Sequence, residues 1–285
     1  MKGIILAGGS GTRLWPMTKA ISKQLLPVYD KPLIYYPLST LLLAGIQEIL
    51  IITTSVDHES FKRLLGDGDQ IGAHFSYAIQ EKPEGLAQAF TIGSKFIGSD
   101  KVALILGDNI FHGVGLGREL QKSTNVAGAQ IFGYSVRDPE RYGVAEVNGK
   151  GEVIGIQEKP LDPKSNWAIP GLYFFDNTVV NKATSITKSP RGEFEITSIL
   201  DLYLNENSLS IKFLPRGTAW MDCGTVDSLN DASNFVRAVE ERQGLKMGVI
   251  EEIAWRNGWI PQDKLQITNG AVGCNDYDKY LRKMS

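Results

Sequence analysis

The chain has 285 residues, 42% of them hydrophobic, enough to bury one large core or one core with a smaller appendage. Its 30 basic and 32 acidic residues leave a formal charge of only −2, which excludes a general attraction to nucleic acid or to an anionic membrane, so any anion site has to be local. Two cysteines, Cys223 and Cys274, are too few for a disulfide framework or a cysteine-rich zinc site, and no run of about 18 apolar residues suggests a membrane span. The first residues lack the apolar stretch of a secretion signal, and a soluble, cytoplasmic protein is expected.

From the N-terminus, short β-type apolar runs alternate with longer segments of helical period: "GIILAG", "YPLSTLLLAGI", "EILIITTS", "FKRLLGDG" and "HFSYAIQ". That rhythm predicts an α/β fold with a mostly parallel central sheet flanked by helices. After Gly85, residues Leu86, Ala89, Phe90, Gly93, Phe96 and Ile97 fall on one helical stripe. "KVALILGD" then returns as a strand, with Asp108 just past its carboxyl end. Ligands of open α/β sheets bind outside the carboxyl ends of the strands, so the turns after Leu6, Gln80 and Leu106 are expected to converge on one crevice.

Between Ala129 and Phe175 the pattern turns β-rich, with "AQIFGYSV", "GVAEVNGKGEVIGIQEKP" and "NWAIPGLYFFD"; Asn148-Gly149 and Gly151 mark a hairpin. This predicts an inserted or edge β layer that closes the second half of the crevice. From Ser228 onward Leu229, Ala232, Val236 and Val239 recur at helical spacing, followed by "VIEEIAWRNGWI" and a polar tail. The tail reads as a small helical subdomain or a subunit contact.

The first turn after the first strand, within "LAGGSGTRLWPMTKAISKQLLP", combines clustered glycines with Arg13 and Lys23. Backbone N–H groups of such a turn can point together at a phosphate. Leu14 stands where GxGxxG requires its third glycine, and the GxxxxGK[ST] order of a P-loop is absent, so dinucleotide and P-loop readings lose ground. The longer pattern, LAGGxGTRLxPxT followed by a lysine ahead of a proline, resembles the signature of the sugar-1-phosphate nucleotidylyltransferases. The resemblance runs on through "SKQLLPVYDKPLIYYPLSTLLLAGI", "EKPEGLAQAF", "LGDNIFHG", "RYGVAEV", "QEKP", "SNWAIPGLYFFD", "RGEFEITS", "AWMDCGT" and "EEIAWRNGW", nearly the whole chain. Guanylyltransferases of the family share "GGSGTRLWP" and "KQ", so the opening loop does not choose the base. Gln80 with "GLAQAF", and "YDKPLIYYPL", are most similar to the branch that joins dTTP and glucose 1-phosphate.

The resemblance implies a Rossmann-like nucleotidyltransferase domain over residues 1–227, with a nucleotide half over about 1–125 and a sugar half over about 126–227. Residues 228–285 become a C-terminal helical, oligomerisation region. It implies attack by the sugar phosphate on the α-phosphorus of the nucleotide, a reaction without need of a general base because the attacking phosphate is already ionised. Arg13, Lys23 and Lys159 are the implied catalytic cations. Leu6, Gly8, Gly9, Gly11, Thr12, Arg13, Gln24, Gln80, Pro83, Gly85, Leu86 and Asp108 are the implied nucleotide contacts, Gln80 reading the thymine edge. Asn109, Tyr142, Gly143, Glu158, Lys159, Ile169, Tyr173 and Arg191 are the implied sugar-phosphate contacts, and Asp108 with Asp222 the implied ligands of Mg2+. Relatives imply a homotetramer with a second nucleotide site at a subunit interface. "EEIAWRNGW" suits that site, while His112 departs from the Tyr or Phe that relatives often carry there. His58, His74 and His112 have no metal-ligand spacing, Cys223 is expected to pack, and Trp255 and Trp259 to join helices. A guanylyl- or uridylyl-transferase, and a non-catalytic member of the fold, are the rival readings.

Overall fold

The unbroken apolar run near the start of the chain forms the middle of the central sheet. Lys2–Ala7 (β1) lies parallel between Glu48–Thr53 and Val102–Leu106, and Ile4, Ile5, Leu6 and Ala7 are all buried. The computed structural model describes residues 1–9, 11–266 and 275–284; Ser10 of the first loop and Cys274 lie outside the described residues. After β1 come β2 (Pro27–Val28), β3 (Lys31–Pro32), β4 (Glu48–Thr53), β5 (His74–Ile79), β6 (Val102–Leu106), β7 (Asn109–His112) and β8 (Ala129–Ser135). Then follow β9 (Gly143–Val147), β10 (Val153–Glu158), β11 (Trp167–Ala168), β12 (Leu172–Phe175), β13 (Leu209–Phe213) and β14 (Ala219–Asp222).

The large sheet has ten strands in the order β10-β9-β11-β8-β12-β6-β1-β4-β5, with β13 added on β8. β5, β4, β1 and β6 are mutually parallel; β12 runs antiparallel to both β6 and β8, and β13 is parallel to β8. The expected α/β architecture is therefore present. The β-rich stretch forms the antiparallel extension β9, β10 and β11, and its β9–β10 turn is tied by Asn148, whose side-chain oxygen accepts from Lys150 N and Glu152 N at 2.9 and 3.0 Å.

The sheet's pleat sorts the apolar residues into two cores. Ile5, Ala7, Ile49, Ile51, Ala103 and Ile105 face one side, with Ile34, Leu38, Leu41 and Leu42 from the helix Tyr35–Leu43 and its lead-in. Ile4, Leu6, Leu50, Ile52, Val102 and Leu104 face the other, against Ala89, Phe90 and Ile97. Burial on both faces is why these strands show no apolar–polar alternation. The helical stripe after Gly85 is split at Gly93 into Gln88–Ile92 and Ser94–Ile97.

A third cluster joins the first loop to the C-terminal part of the chain. Leu14, Leu26, Val28 and Leu33 pack with Ile110, Cys223, Leu229, Ala232, Val236 and Met247. The helix that supplies several of these, Val226–Gln243, begins slightly before the periodic residues because Thr225 and Ser228 form a reciprocal cap, each side-chain oxygen accepting from the other's backbone N–H. Beneath the cluster Lys31 and Lys246 each pair with both Asp30 and Glu240, and Glu240 also accepts from Met247 N at 2.8 Å. The last helix, Asp276–Met284, is bonded through Tyr277 to Glu251 and through Tyr280 to Glu252, at 2.6 and 2.7 Å.

Breaking a buried ion pair from one side leaves an uncompensated charge, which typically costs about 3–5 kcal/mol. Glu240→Ala, which strips buried Lys31 of one of its two carboxylates, is accordingly expected to lower stability by about 3 kcal/mol, read as a fall in the urea midpoint, while the exposed-pair control Glu241→Ala moves it little.

Candidate active site

A cleft of about 580 Å3 opens at the carboxyl ends of the parallel strands. Leu6, Gly9, Arg13, Lys23 and Gln24 reach it from the turn after β1; Gln80, Pro83, Gly85 and Leu86 from the turn after β5; Leu106, Asp108 and Asn109 from the end of β6. The three turns predicted to converge do so. The β-rich extension supplies the far wall with Tyr142, Gly143, Glu158, Lys159, Ile169 and Tyr173, and Asp222 enters from the end of β14.

Two carboxylates meet at one end. β7 and β14 pair antiparallel with Asn109 opposite Asp222, and Cys223 N donates to Asp108 O at 3.0 Å, so Asp108 and Asp222 are neighbours. Lys23, itself buried, forms an ion pair with Asp108. Asn109 is clamped: its side-chain oxygen accepts from Trp220 Nε1 at 2.7 Å and Gly171 N at 3.1 Å, and its Nδ2 donates to Asp108 at 2.9 Å. Burial works to raise the Asp108 pKa, but the Lys23 charge and the bonds from Lys23 and Asn109 hold it below the ordinary value. Asp222 is pushed the other way, up to about 6, by burial and then by the Asp108 charge, against the attraction of Lys23, Arg13 and Arg141. A pair of carboxylates in which one must yield its charge is the electrostatic setting a divalent cation relieves. Among the described residues no group of three or more His, Cys, Asp or Glu is gathered for a metal, so further ligands would be substrate oxygens and water.

At the other end Gln80 is 4% exposed, with its side-chain oxygen directly over Gly8. A Cβ on Gly8 would stand 2.3 Å from that oxygen, which is why the residue there has no side chain. Gly85 has φ +121° and its missing Cβ would fall 2.4 Å from Phe194 O, so the turn carrying it lies flat against the segment before the helix Ile196–Asn205. Ala87 N and Phe194 N each donate across that junction, to Phe194 O at 3.1 Å and Glu84 O at 2.7 Å.

On the far wall Glu158 accepts from Thr197 Oγ1 at 3.2 Å and pairs with Arg191 at 3.5 Å. Its pKa is raised, by burial first and by the Glu195 charge second. Lys159 is held at φ +43°, a left-handed conformation unusual for a lysine and a local strain of the kind concentrated at ligand sites. Tyr173 is both buried core, stacked on Phe175, and cleft wall.

Of the residues singled out in the sequence, Gly8, Gly11, Thr12 and Arg191 do not line the cleft. Gly8 lies under the Gln80 side-chain oxygen, Gly11 and Thr12 open the short helical turn that carries Arg13, and Arg191 reaches Glu158 and Glu195 from outside. The structure adds Arg141, Glu195, Thr197 and Trp220. All four stand inside quoted motifs, but adjacent residues drew the roles; nothing in the spacing says that Trp220 steadies Asn109 from 111 positions away. His58 bonds Thr53 at 3.0 Å and Trp255 and Trp259 pack against the first core, as expected of structural residues.

A family model described as nucleotidyl transferase matches residues 2–239. The chain belongs to this family. Members from Mycolicibacterium smegmatis and Mycobacterium tuberculosis, both named glucose-1-phosphate thymidylyltransferase, are 57% and 55% identical over 284 residues, covering 100% of this chain and 99% of their own length. Among solved structures, a Bacillus anthracis family member assigned as a glucose-1-phosphate thymidylyltransferase, in complex with sucrose, is 40% identical with a TM-score of 0.77 over 83% of this chain and 95% of that one. A UDP-glucose pyrophosphorylase complexed with UDP-glucose is 26% identical with a TM-score of 0.72 over 85% of this chain and 99% of that one. The cleft of this nucleotidyl transferase depends on Asn109, since an apolar residue there leaves Gly171 N and Trp220 Nε1 without their acceptor, at about 1–3 kcal/mol each. Asn109→Leu is expected to lower the melting temperature and to cut turnover of the folded enzyme at least tenfold, checked by calorimetry and by pyrophosphate release at saturating substrate.

Proposed function

We propose that the protein transfers a thymidylyl group from dTTP to α-D-glucose 1-phosphate, giving dTDP-glucose and pyrophosphate and so opening the route to dTDP-deoxysugars. The observation that carries this reading is that one cleft gathers Gln80, Gly85 and Leu86, a cationic and carboxylate centre at Arg13, Lys23, Asp108 and Asp222, and a polar wall at Glu158 and Lys159. The names of the full-length relatives support the choice of nucleotide and sugar.

In this reading a phosphate oxygen of the sugar phosphate forms a bond to the α-phosphorus as the bond to the β-phosphate oxygen breaks, and pyrophosphate leaves with the electron pair. The attacking oxygen is ionised near neutrality, so no side chain has to take a proton. The work left to the protein is alignment and charge. Arg13, beside Gly224 and close enough to act on Asp222, suits the leaving phosphates with its planar guanidinium. Lys23 exchanges its Asp108 partner for transferring phosphate oxygens, and Lys159 holds the sugar phosphate while Arg191 pairs with Glu158 from outside the cleft. Glu158 accepts from sugar hydroxyls. Asp108 and Asp222 fit a Mg2+ ion, which when bound neutralises phosphate charge at that end of the cleft.

The domain division we propose follows the cleft, with a nucleotide half over about 1–125, a sugar half over about 126–227 and a C-terminal helical region over 228–285. The sugar-half boundary is supported by the change from parallel strands to the antiparallel extension, and the reading keeps Mg2+, cytoplasmic location and a homotetramer with an interfacial second nucleotide site as its remaining parts. No helix among the described residues is long and apolar enough to cross a membrane.

Pyrophosphate release measured over several nucleoside triphosphates and sugar 1-phosphates is expected to be fastest with dTTP and glucose 1-phosphate; preference for GTP with mannose 1-phosphate would overturn the reading. UTP is expected to follow within about tenfold to a hundredfold, since one methyl in a pocket is worth about 1–3 kcal/mol. Asp108→Asn and Asp222→Asn are each expected to lower turnover at least tenfold and to raise the Mg2+ concentration needed for half activity; near-normal turnover in both would refute the metal assignment.

A further inference from the structure

Gln80 has a side-chain amide whose two ends have opposite hydrogen-bonding character, so what it recognises depends on which end faces the cleft. Its Nε2 donates to Gln88 Oε1 at 2.6 Å and, over a longer distance, to Gly85 O at 3.4 Å. That same oxygen of Gln88 accepts from Glu84 N at 3.1 Å, and Gln88 Nε2 donates to Glu84 Oε2 at 3.0 Å. Glu84 in turn accepts from Lys188 at 2.7 Å, which keeps its carboxyl below the ordinary carboxylate range and therefore ionised. A carboxylate only accepts and a backbone N–H only donates, so Gln88 has one permitted orientation. It must offer its oxygen to Gln80, and Gln80 must answer with its nitrogen. The Gln80 oxygen is thereby left over Gly8 as an acceptor at the base end of the cleft.

We propose that Gln88, anchored by Glu84, is a positioning residue that fixes the Gln80 amide and so selects pyrimidines with a ring N3–H donor over those with an N3 lone pair. Thymine and uracil present that N–H to the Gln80 oxygen, whereas cytosine brings acceptor against acceptor. The inference rests on the proposed thymidylyl reading and names the device behind it. Neither Gln88 nor Glu84 lines the cleft, so their effect on base choice runs through Gln80.

The test compares kcat/KM for dTTP and dCTP in the wild type, in Gln88→Leu, and in the exchange variant Glu84→Gln/Gln88→Glu, with glucose 1-phosphate KM as the internal control. Gln88→Leu removes the short bond and leaves the Gln80 amide held only by its long bond to Gly85 O, and the dTTP-to-dCTP ratio is expected to fall about tenfold or more, with the glucose 1-phosphate KM within about twofold of wild type. The exchange variant keeps an acceptor toward Gln80 and a donor toward that acceptor, and its ratio is expected to recover to within about threefold of wild type. An unchanged ratio in Gln88→Leu, or an exchange variant as unselective as Gln88→Leu, overturns the proposal while leaving thymidylyl transfer intact. A wild type that prefers a nucleotide other than dTTP overturns the underlying reading as well. Should Gln88→Leu fail to fold, the exchange variant decides alone, since loss of its selectivity is the overturning result.

Discussion

The placement of Asp108 beside Asp222 governs the rest of this structure. Two carboxylates brought together away from water repel each other, and their environment has to hold them there. The antiparallel pairing of β7 with β14 fixes their backbones, and Asn109, bonded at once to Asp108, Gly171 and Trp220, fixes the side chain between them. Lys23 supplies the compensating charge to one carboxylate, and the second is left to shift its pKa upward. Each of these devices draws on a different part of the chain. The site is therefore a property of the assembled fold rather than of the glycine turn that announces it.

That dependence explains why so much structure outside the cleft serves the segments bearing Lys23 and Asp222. Ser22, immediately before Lys23, has its backbone N–H bonded to Asp57 at 2.9 Å, which in turn is held by Thr54 after β4. Leu26 and Val28 lie in the same cluster as Cys223, Leu229 and Val236, so the stretch following Lys23 and the helix following Asp222 share one apolar seam. The ion pairs among Asp30, Lys31, Glu240 and Lys246 close that seam on its polar side. Buried ion pairs add little net stability over apolar packing, but breaking one from a single side is costly, which favours one arrangement of the seam that carries Lys23 and Asp222.

The fold class was legible because both faces of β1, β4 and β6 are covered, which writes continuous apolar runs between helical periods. The convergence of three turns on one cleft followed from that topology, since β1 sits between β4 and β6 and all point the same way. The lining of the cleft was legible where a motif spans it: Arg13, Lys23, Asp108, Glu158 and Asp222 stand in runs whose residue types match a known pattern, and all five line it. Arg141, Thr197 and Trp220 were not, because their roles arise from partners far along the chain. Trp220 reads as packing until its indole N–H is seen on Asn109, and Thr197 as a helix residue until its hydroxyl is seen on Glu158. Periodicity also cannot see a break such as the one at Gly93, where a stripe continuous in sequence becomes two short helices.

The two ends of the cleft obey different physics, and this separates what can vary from what cannot. At the carboxylate end the interactions are between full charges, so changing a residue type alters the sum of charge and leaves little latitude. At the Gln80 end the interactions run through the neutral amides of Gln80 and Gln88, whose polarity changes sign by rotation alone and costs the fold little to alter. Such a device needs something unable to rotate at its far end, and the ionised Glu84, paired with Lys188 and joined through backbone bonds to Phe194, is that fixed point. Because Phe194 leads directly into Glu195, Ile196 and Thr197, which line the cleft, the same junction joins the Gln80 end to that part of its wall. A side-chain change at Glu84 thus alters the polarity of the amide chain and leaves its backbone bond from Phe194 in place, whereas a change at Gln88 also removes an acceptor from Glu84 N.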